Sequence, residues 1–403
     1  MIPHTRPVDR IGARIQAWLE RVGQTKADDL YFFNQPIEEL RGGTRVRVNG
    51  REMLMFASYS YLGLIGHPAI NAAAKAAIDR YGTGTHGVRL LAGTLSLHGE
   101  LEETIAAFAR REDAITFSSG YVTNLTAVST LLSRHDVVIC DKLNHASIVD
   151  GCLLSGAEFV RFRHNDMLDL ERCLQRAKPG AAKLVVTDAV FSMDGDLVDL
   201  PRLVEVCHKH DAWLMVDEAH SIGVLGQTGR GIEEHFGLEG AIDLKMGTLS
   251  KSIPSVGGYL AGRAELINVF RHASRAFIFS AALPPAQAAA AQAAFEVIEA
   301  EPKRVATLQA NALRFRAGLQ MIGFNTLKTE TAIVPIMCGS DERAFRVVRR
   351  CQREGIFTLP VISPAVPEGQ ARVRATVTAA HTSDEIDLAL GVFERAGRAE
   401  GII

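Results

Sequence analysis

The chain has 403 residues, too many for one ordinary hydrophobic core, so two or more domains are expected. Its 44 basic and 46 acidic residues leave a net charge of −2, which gives no electrostatic case for a nucleic-acid or membrane-surface partner. The six cysteines (Cys140, Cys152, Cys173, Cys207, Cys338 and Cys351) are scattered without a C-x-x-C pair, so zinc and disulfide frameworks are disfavoured and a reducing cytoplasm is expected.

In chain order, the start carries Arg6, Arg10 and Arg14 but no apolar stretch of the signal-peptide kind. "ARIQAWLERVG" reads as an amphipathic helix. "TRVRVNGREMLMF" reads as a hairpin, with Asn49-Gly50 between two alternating runs. "PAINAAAKAAIDRYG" predicts a helix with Pro68 at its start and Gly82 past its end, and "LHGELEETIAAFARRE" predicts another. Short apolar runs then alternate with loops and helical patterns: "DAITFSSG", "DVVICD", "KLVVTDAVFSMDGD", "AWLMVDEAHSIG" and "DLKMGTLSK". This alternation predicts an α/β domain with a largely parallel sheet and helices on both faces. The alanine-rich run after Pro284 and Pro285 is a soluble helix rather than a membrane span, and is expected to run on through "EAEPKRVATLQANALRFRAGLQ" as one long helix. Strands "AIVPIMC" and "ARVRATVTA" and a last helix complete a smaller C-terminal α+β domain. The expected divisions are 1–55 (helix and hairpin), 56–285 (large domain) and 286–403 (small domain).

"GTGTHG", Gly82 to Gly87, matches the G-x-G-x-x-G spacing of dinucleotide sites. That fingerprint needs a strand before it and a helix opening on it, and here the preceding pattern is helical. The loop is therefore not expected to bind NAD. Three other segments carry chemistry. In "KMGTLSKSIPSVGGYLAG", Lys251 follows Thr248 and Ser250 at the end of an apolar strand. In "AWLMVDEAHSIG", Asp217 ends a strand and His220 lies three residues on. In "ITFSSGYVTNL", a strand gives way to Ser-Ser-Gly and a helix whose free N–H groups suit a phosphate. Groups at the carboxyl ends of strands converge in α/β folds.

This order of phosphate cup, aspartate and lysine resembles fold-type I enzymes of pyridoxal 5′-phosphate (PLP). "DKLNHASIVDG", "LVVTDAVFSMDGD", "VDEAHSIGVLG", "TLSKSIPSVGGYLAG" and "RVRATVTAAHT" together resemble the α-oxoamine synthases, from "YLGLIGHP" to the terminal "GII". The resemblance implies PLP as cofactor. It also implies decarboxylative condensation of a small amino acid (glycine, alanine or serine) with an acyl thioester, carried by coenzyme A or an acyl carrier protein. It implies a cytoplasmic homodimer with shared sites.

Residue by residue, the resemblance makes Lys251 the cofactor-bound lysine and later the base, Asp217 the partner of the ring nitrogen and His145 the residue stacked on the ring. His220 and Ser192 fall near the ring hydroxyl, and Gly120, Tyr121 and Thr248 at the phosphate. Ser280, in "FIFSAALPP", falls where a neighbouring subunit's phosphate is reached. Arg374 takes the substrate carboxylate, with Arg372 as the competing choice on the same strand face. Tyr59 and Ser60 stand where many members have asparagine and aspartate, and Ala365 where some have threonine. Tyr59 is placed at the substrate. His86 is read either as facing the acyl donor or as an ordinary loop residue, and Arg89 as an interface salt bridge or a substrate contact. The rival readings are an aminotransferase or lyase of the same fold, and a non-catalytic partner subunit.

Overall fold

The computed structural model describes residues 9–403; Arg6 lies outside the described residues. The elements are, in order, α1 (Arg10–Ala27), β1 (Ile37–Arg41), β2 (Arg45–Val48), β3 (Arg51–Met55), α2 (Pro68–Tyr81), α3 (Ser96–Ala109), β4 (Asp113–Phe117), α4 (Gly120–Leu131), β5 (Val137–Asp141), α5 (Ala146–Ser155), β6 (Glu158–Phe162), α6 (Met167–Gln175), β7 (Lys183–Asp188) and α7 (Leu200–Lys209). They continue as β8 (Trp213–Asp217), α8 (Ile232–Phe236), β9 (Leu244–Ser250), β10 (Pro254–Gly262), α9 (Ala264–Ala273), α10 (Arg275–Phe279), α11 (Pro285–Ala300), α12 (Lys303–Ile322), β11 (Ile333–Gly339), α13 (Asp341–Arg353), β12 (Ile356–Phe357), β13 (Pro360–Val361), β14 (Ala371–Thr376) and α14 (Ser383–Ala399).

Asn49 and Gly50 turn β2 into β3 with φ of 50° and 71°. Positive φ at both central residues is what a tight hairpin needs to match strand twist. β1 and β12 complete this four-stranded sheet, β12 pairing parallel to β3.

The central sheet has the order β4-β10-β9-β8-β7-β5-β6. The β5–β9 pairings are parallel, whereas β10 runs antiparallel to both its neighbours. The short "KSIP" connection explains this: parallel strands need a crossover of a dozen or more residues, and none separates β9 from β10. Alternation divides each strand between two cores. Ile139, Val185 and Val216 pack with α3, α6, α7 and α11 on one face. Val138, Val186 and Met215 pack with α4, α5 and α9 on the other. Both faces are buried, so the strands read as nearly continuous apolar runs. The third sheet, β11-β14-β13, is antiparallel and is covered by α13, with α12 and α14 packed beside it.

The single long helix expected after Pro285 is two helices. α11 ends at Ala300, and Glu301 takes φ −121° and ψ 56° before Pro302 caps α12. Proline's ring disfavours helical backbone at the residue before it, and it has no N–H to continue the ladder. The break sends α11 against α2 and α3, while α12 packs on α14. Among the described residues no helix is long and apolar enough to cross a membrane, and all six cysteines are free.

Candidate active site

Asp141, Asp188, Asp217 and Ser250 each end a strand at the carboxyl edge of the central sheet. β5, β7, β8 and β9 are neighbours there, so the loops that follow them share one space. β7–β8 pairing puts Asp188 directly opposite Asp217, and both are buried. Two carboxylates this close cannot both ionise cheaply. Burial, and next the charge of Asp217, raise the Asp188 carboxyl well above its usual range. Asp188 accepts the His145 N–H at 2.9 Å.

Asp217 is held on both oxygens. Asn124 Nδ2 donates to Oδ2 at 2.7 Å and the Ala219 N–H to Oδ1 at 2.9 Å. Asn124 Nδ2 also donates to Ser147 Oγ at 2.9 Å, and Ser147 Oγ lies 2.7 Å from His145 Nδ1. Each partner in this chain constrains the next. The Ser147 backbone N–H donates to Nδ1 at 3.2 Å, so a neutral His145 ring carries its proton on Nε2. Burial lowers the pKa of His145 and favours that neutral ring.

Lys251 follows β9. Its Nζ lies 2.7 Å from His220 Nε2, and His220 Nδ1 lies 2.6 Å from the Tyr61 hydroxyl. Tyr61 Oη in turn accepts from Arg374 Nη2 at 3.3 Å. Burial drives Lys251 down; Asp217 opposes this and Arg374 adds to it, leaving a pKa of about 8. Burial, with Lys251 and Arg374 nearby, holds His220 well below its ordinary value, so it is neutral and accepts from a protonated Lys251. The Tyr59 ring stands over this cluster, 4.7 Å from Arg374 Cζ and 5.9 Å from Lys251 Nζ.

Strand periodicity puts Arg372 and Arg374 on one face of β14, and both reach the turn after β7. Arg372 is ion-paired to Asp194 there. Arg374 Nε donates to the Ser192 carbonyl at 2.6 Å, and among the described residues Arg374 has no carboxylate partner. Of the two, Arg374 is therefore the one with charge to spare.

At the other end of the site, a Cβ on Gly120 would lie 2.9 Å from Thr248 Oγ1. Gly258 on β10 shares this approach, since a Cβ there would fall 2.7 Å from Gly120 Cα. Only bare backbone lets the start of α4 come this near β9. Ser119 caps Val122, which leaves the N–H groups of Gly120 and Tyr121 without intrahelical partners. The Tyr121 hydroxyl bonds Asp150, and its ring meets His145 edge-on at 6.3 Å.

The described residues do not bring Ser280 and His86 to this cluster by any side-chain hydrogen bond. They lie instead on two segments that meet each other. The Ala282 N–H donates to the Gly87 carbonyl at 3.0 Å, and Val88 bridges Ala281. "GTGTHG" follows α2 rather than a strand, so the context a dinucleotide fingerprint needs is missing. Arg89 also lies outside the Lys251 cluster. It forms a buried fork on Glu102 at 2.8 and 2.9 Å within the same chain.

Sequence reasoning passed over Tyr61, Asn124, Ser147 and Asp188. Asn124 carried a signal, a polar residue one turn into a helix of small and apolar ones. His164 was also missed. Its Nδ1 lies 3.0 Å from Asp141 Oδ1 and its Nε2 2.9 Å from Asp196 Oδ2. It therefore ties the β5 loop that carries His145 to the turn that carries Ser192. Burial alone would lower its pKa, but the two carboxylates raise it from 6.5 to about 10. A histidine whose folded pKa is raised contributes stability that is complete below pH 6.5 and is lost as pH rises through about 10. His164→Asn is expected to destabilise by about 3 kcal/mol at pH 6. In urea melts this gap should shrink towards pH 10; a gap that does not change with pH would contradict an imidazolium bridge.

The family described as aminotransferase class I and II matches residues 51–393. The chain belongs to that family. Over 390 residues it is 42% identical to the 8-amino-7-oxononanoate synthase of Thermoanaerobacter pseudethanolicus, covering 93% of this chain and 99% of the relative. It is also 42% identical to the serine palmitoyltransferase of Sphingobacterium spiritivorum, covering 92% of each. The structure of a substituted serine palmitoyltransferase from S. paucimobilis with a bound PLP–myriocin aldimine superposes with a TM-score of 0.95 at 36% identity, covering 98% of this chain and all of that one. Within the family the chain falls among the α-oxoamine synthases, PLP-dependent C-acyltransferases that join an amino acid to an acyl thioester with loss of carbon dioxide. Its fold is that of the fold-type I PLP enzymes. The residues present fit PLP. The glycine cradle below Thr248 leaves room and free N–H groups for a phosphate. Asp217 offers a fixed buried carboxylate, and Lys251 is a half-buried amine whose pKa is lowered to about 8.

Proposed function

We propose that this α-oxoamine synthase condenses glycine, alanine or serine with an acyl thioester at the Lys251 cluster, working as a homodimer. The relatives' names include a product with a terminal carboxylate, oxononanoate, and a transferred palmitoyl group; the reading covers both as acyl thioesters. The observation that carries it is the placement of Lys251 Nζ, 2.7 Å from a neutral His220 and next to an unpaired Arg374, beyond the carboxyl end of Asp217's strand.

In this reading Gly120, Tyr121 and Thr248 hold the cofactor phosphate. Asp217 pairs with the ring nitrogen, His145 packs on the ring face, and His220 and Ser192 border its hydroxyl. Ser280 reaches the phosphate site of the partner subunit, and His86, on the segment packed against it, stands near the acyl donor. Bound there, PLP supplies an aldehyde that captures amines and a protonated ring that accepts an electron pair.

Arg374 grips the amino acid's carboxylate with its planar fork, which fixes the direction of the bonds at Cα. Asn124 and Ala219 keep Asp217 in place, and burial, with Asp217 opposite, raises the Asp188 carboxyl above its usual range. Lys251 Nζ, once free, takes the Cα proton. With a pKa of about 8 it has an appreciable neutral fraction at physiological pH, as a base must. His220 Nε2 receives the lysine's N–H and steers its lone pair. Tyr59 stands over the cluster, and its bulk favours a small amino acid.

The test is thiol release by purified holoenzyme. Free thiol should appear only when a small amino acid and an acyl-CoA or acyl carrier protein thioester are both present, and the active species should sediment as a dimer. An amino acid-dependent spectral change with no thiol release from any thioester would favour the aminotransferase or lyase reading instead.

A further inference from the structure

We propose that a cavity behind Tyr59 receives the tail of the acyl group, and that this tail is a hydrocarbon chain without a terminal charge. The proposal rests on the condensation reading above and names the substrate class of the same site. The cavity has a volume of about 330 Å³ and lies between the β1–β3 sheet, the turn that follows β3, and β12. Its walls are mostly apolar, with Phe32, Ile37, Leu40, Met55, Ala57 and Phe357 among them and Asn34, Gln35, Ser58 and Ser60 as uncharged polar members.

Tyr59 makes the connection to the chemistry. One side chain both lines this cavity and stands over Lys251 and Arg374, so the Tyr59 ring separates the cavity from the Lys251 cluster by its own thickness. Tyr59 is also 45% exposed, which leaves an approach past its ring. A thioester whose carbonyl lies beside Lys251 would have its thiol side towards solvent and its tail towards this space.

Charge decides what kind of tail. Among the described residues the one charged residue in the lining is Arg45, and it is already engaged, 3.2 Å from Glu52 and 3.4 Å from Glu385. A tail ending in a carboxylate would enter an apolar space with no unpaired cation to meet it, and burial of an uncompensated carboxylate is strongly unfavourable. Each methylene of an uncharged tail buried there instead strengthens binding by roughly fourfold.

The experiment ranks acyl-CoA donors on the holoenzyme by kcat/KM. Octanoyl-CoA is expected to exceed the octanedioyl monothioester by at least about 100-fold, and dodecanoyl-CoA to exceed butanoyl-CoA. Ala57→Leu, which fills the cavity, should lower kcat/KM for dodecanoyl-CoA about tenfold with butanoyl-CoA within about twofold. Ile37→Lys, a substitution at a half-exposed wall residue that folding tolerates, should raise the octanedioyl donor relative to octanoyl-CoA. Equal use of the two eight-carbon donors by the wild type, or an equal loss with every donor in Ala57→Leu, would overturn the proposal while leaving condensation intact. Absence of thiol release from all donors would instead overturn the condensation reading on which it rests.

Discussion

Lys251→Ala is expected to lose the borohydride-reducible link to PLP and to lower turnover by at least about 1,000-fold, because nucleophile and base disappear together. The fold should survive. Lys251 is joined to the rest of the site by one hydrogen bond, to His220, and makes no ion pair within the chain among the described residues. The removed amine cannot be replaced locally. Lys245, on the β9 strand that precedes Lys251, is buried in a separate cluster with Glu218 and Glu233, at 3.5 and 3.0 Å. Mass spectrometry after reduction, together with single-turnover kinetics, checks the result. A reducible adduct persisting in the variant would mean that another amine holds the cofactor.

Arg374→Ala is expected to weaken amino acid binding by about 100-fold, since a buried charge-assisted fork is lost and a carboxylate is left without its partner. KM for the acyl thioester should change far less. The variant carries a second signature. Arg374 is one of the charges that hold the Lys251 pKa down, so its removal should move the ascending limb of the pH–rate profile upward from about 8. Arg374→Lys should keep that limb near its place while recovering only part of the affinity, because an ammonium keeps the charge but not the planar fork. A uniform loss of kcat with unchanged amino acid affinity would assign Arg374 a purely structural role through the Ser192 carbonyl and Tyr61.

The sequence by itself determined the elements and most of the chemistry-bearing positions. Asn49-Gly50 fixes a hairpin because two successive positive φ values suit few other residue pairs. Apolar runs ending in Asp141, Asp188, Asp217 and Ser250 read as buried parallel strands, and such strands deliver their loop residues to one edge. The placement of Lys251, Asp217 and His145 at that edge was legible for that reason. The break at Pro302 was legible in principle, since proline's effect on the preceding residue is local.

Pairing across the chain was decided only by the tertiary structure. Arg372 and Arg374 are equivalent in sequence period, and Asp194, far away in the chain, neutralises one and leaves the other free. Arg89 finds its partner Glu102 on α3, an intrachain pairing that its own motif does not indicate. The pKa of Lys251 depends on burial and on Asp217, Arg374 and Asp188, which arrive from three other elements. The apolar cavity behind Tyr59 is walled by residues 32–65 and by Phe357 and Leu359, about 300 positions apart. Local propensity and periodicity follow from backbone geometry within a few residues. Charge compensation, desolvation and cavity shape depend on which distant side chains come into contact, and that is set only when the sheets and helices pack.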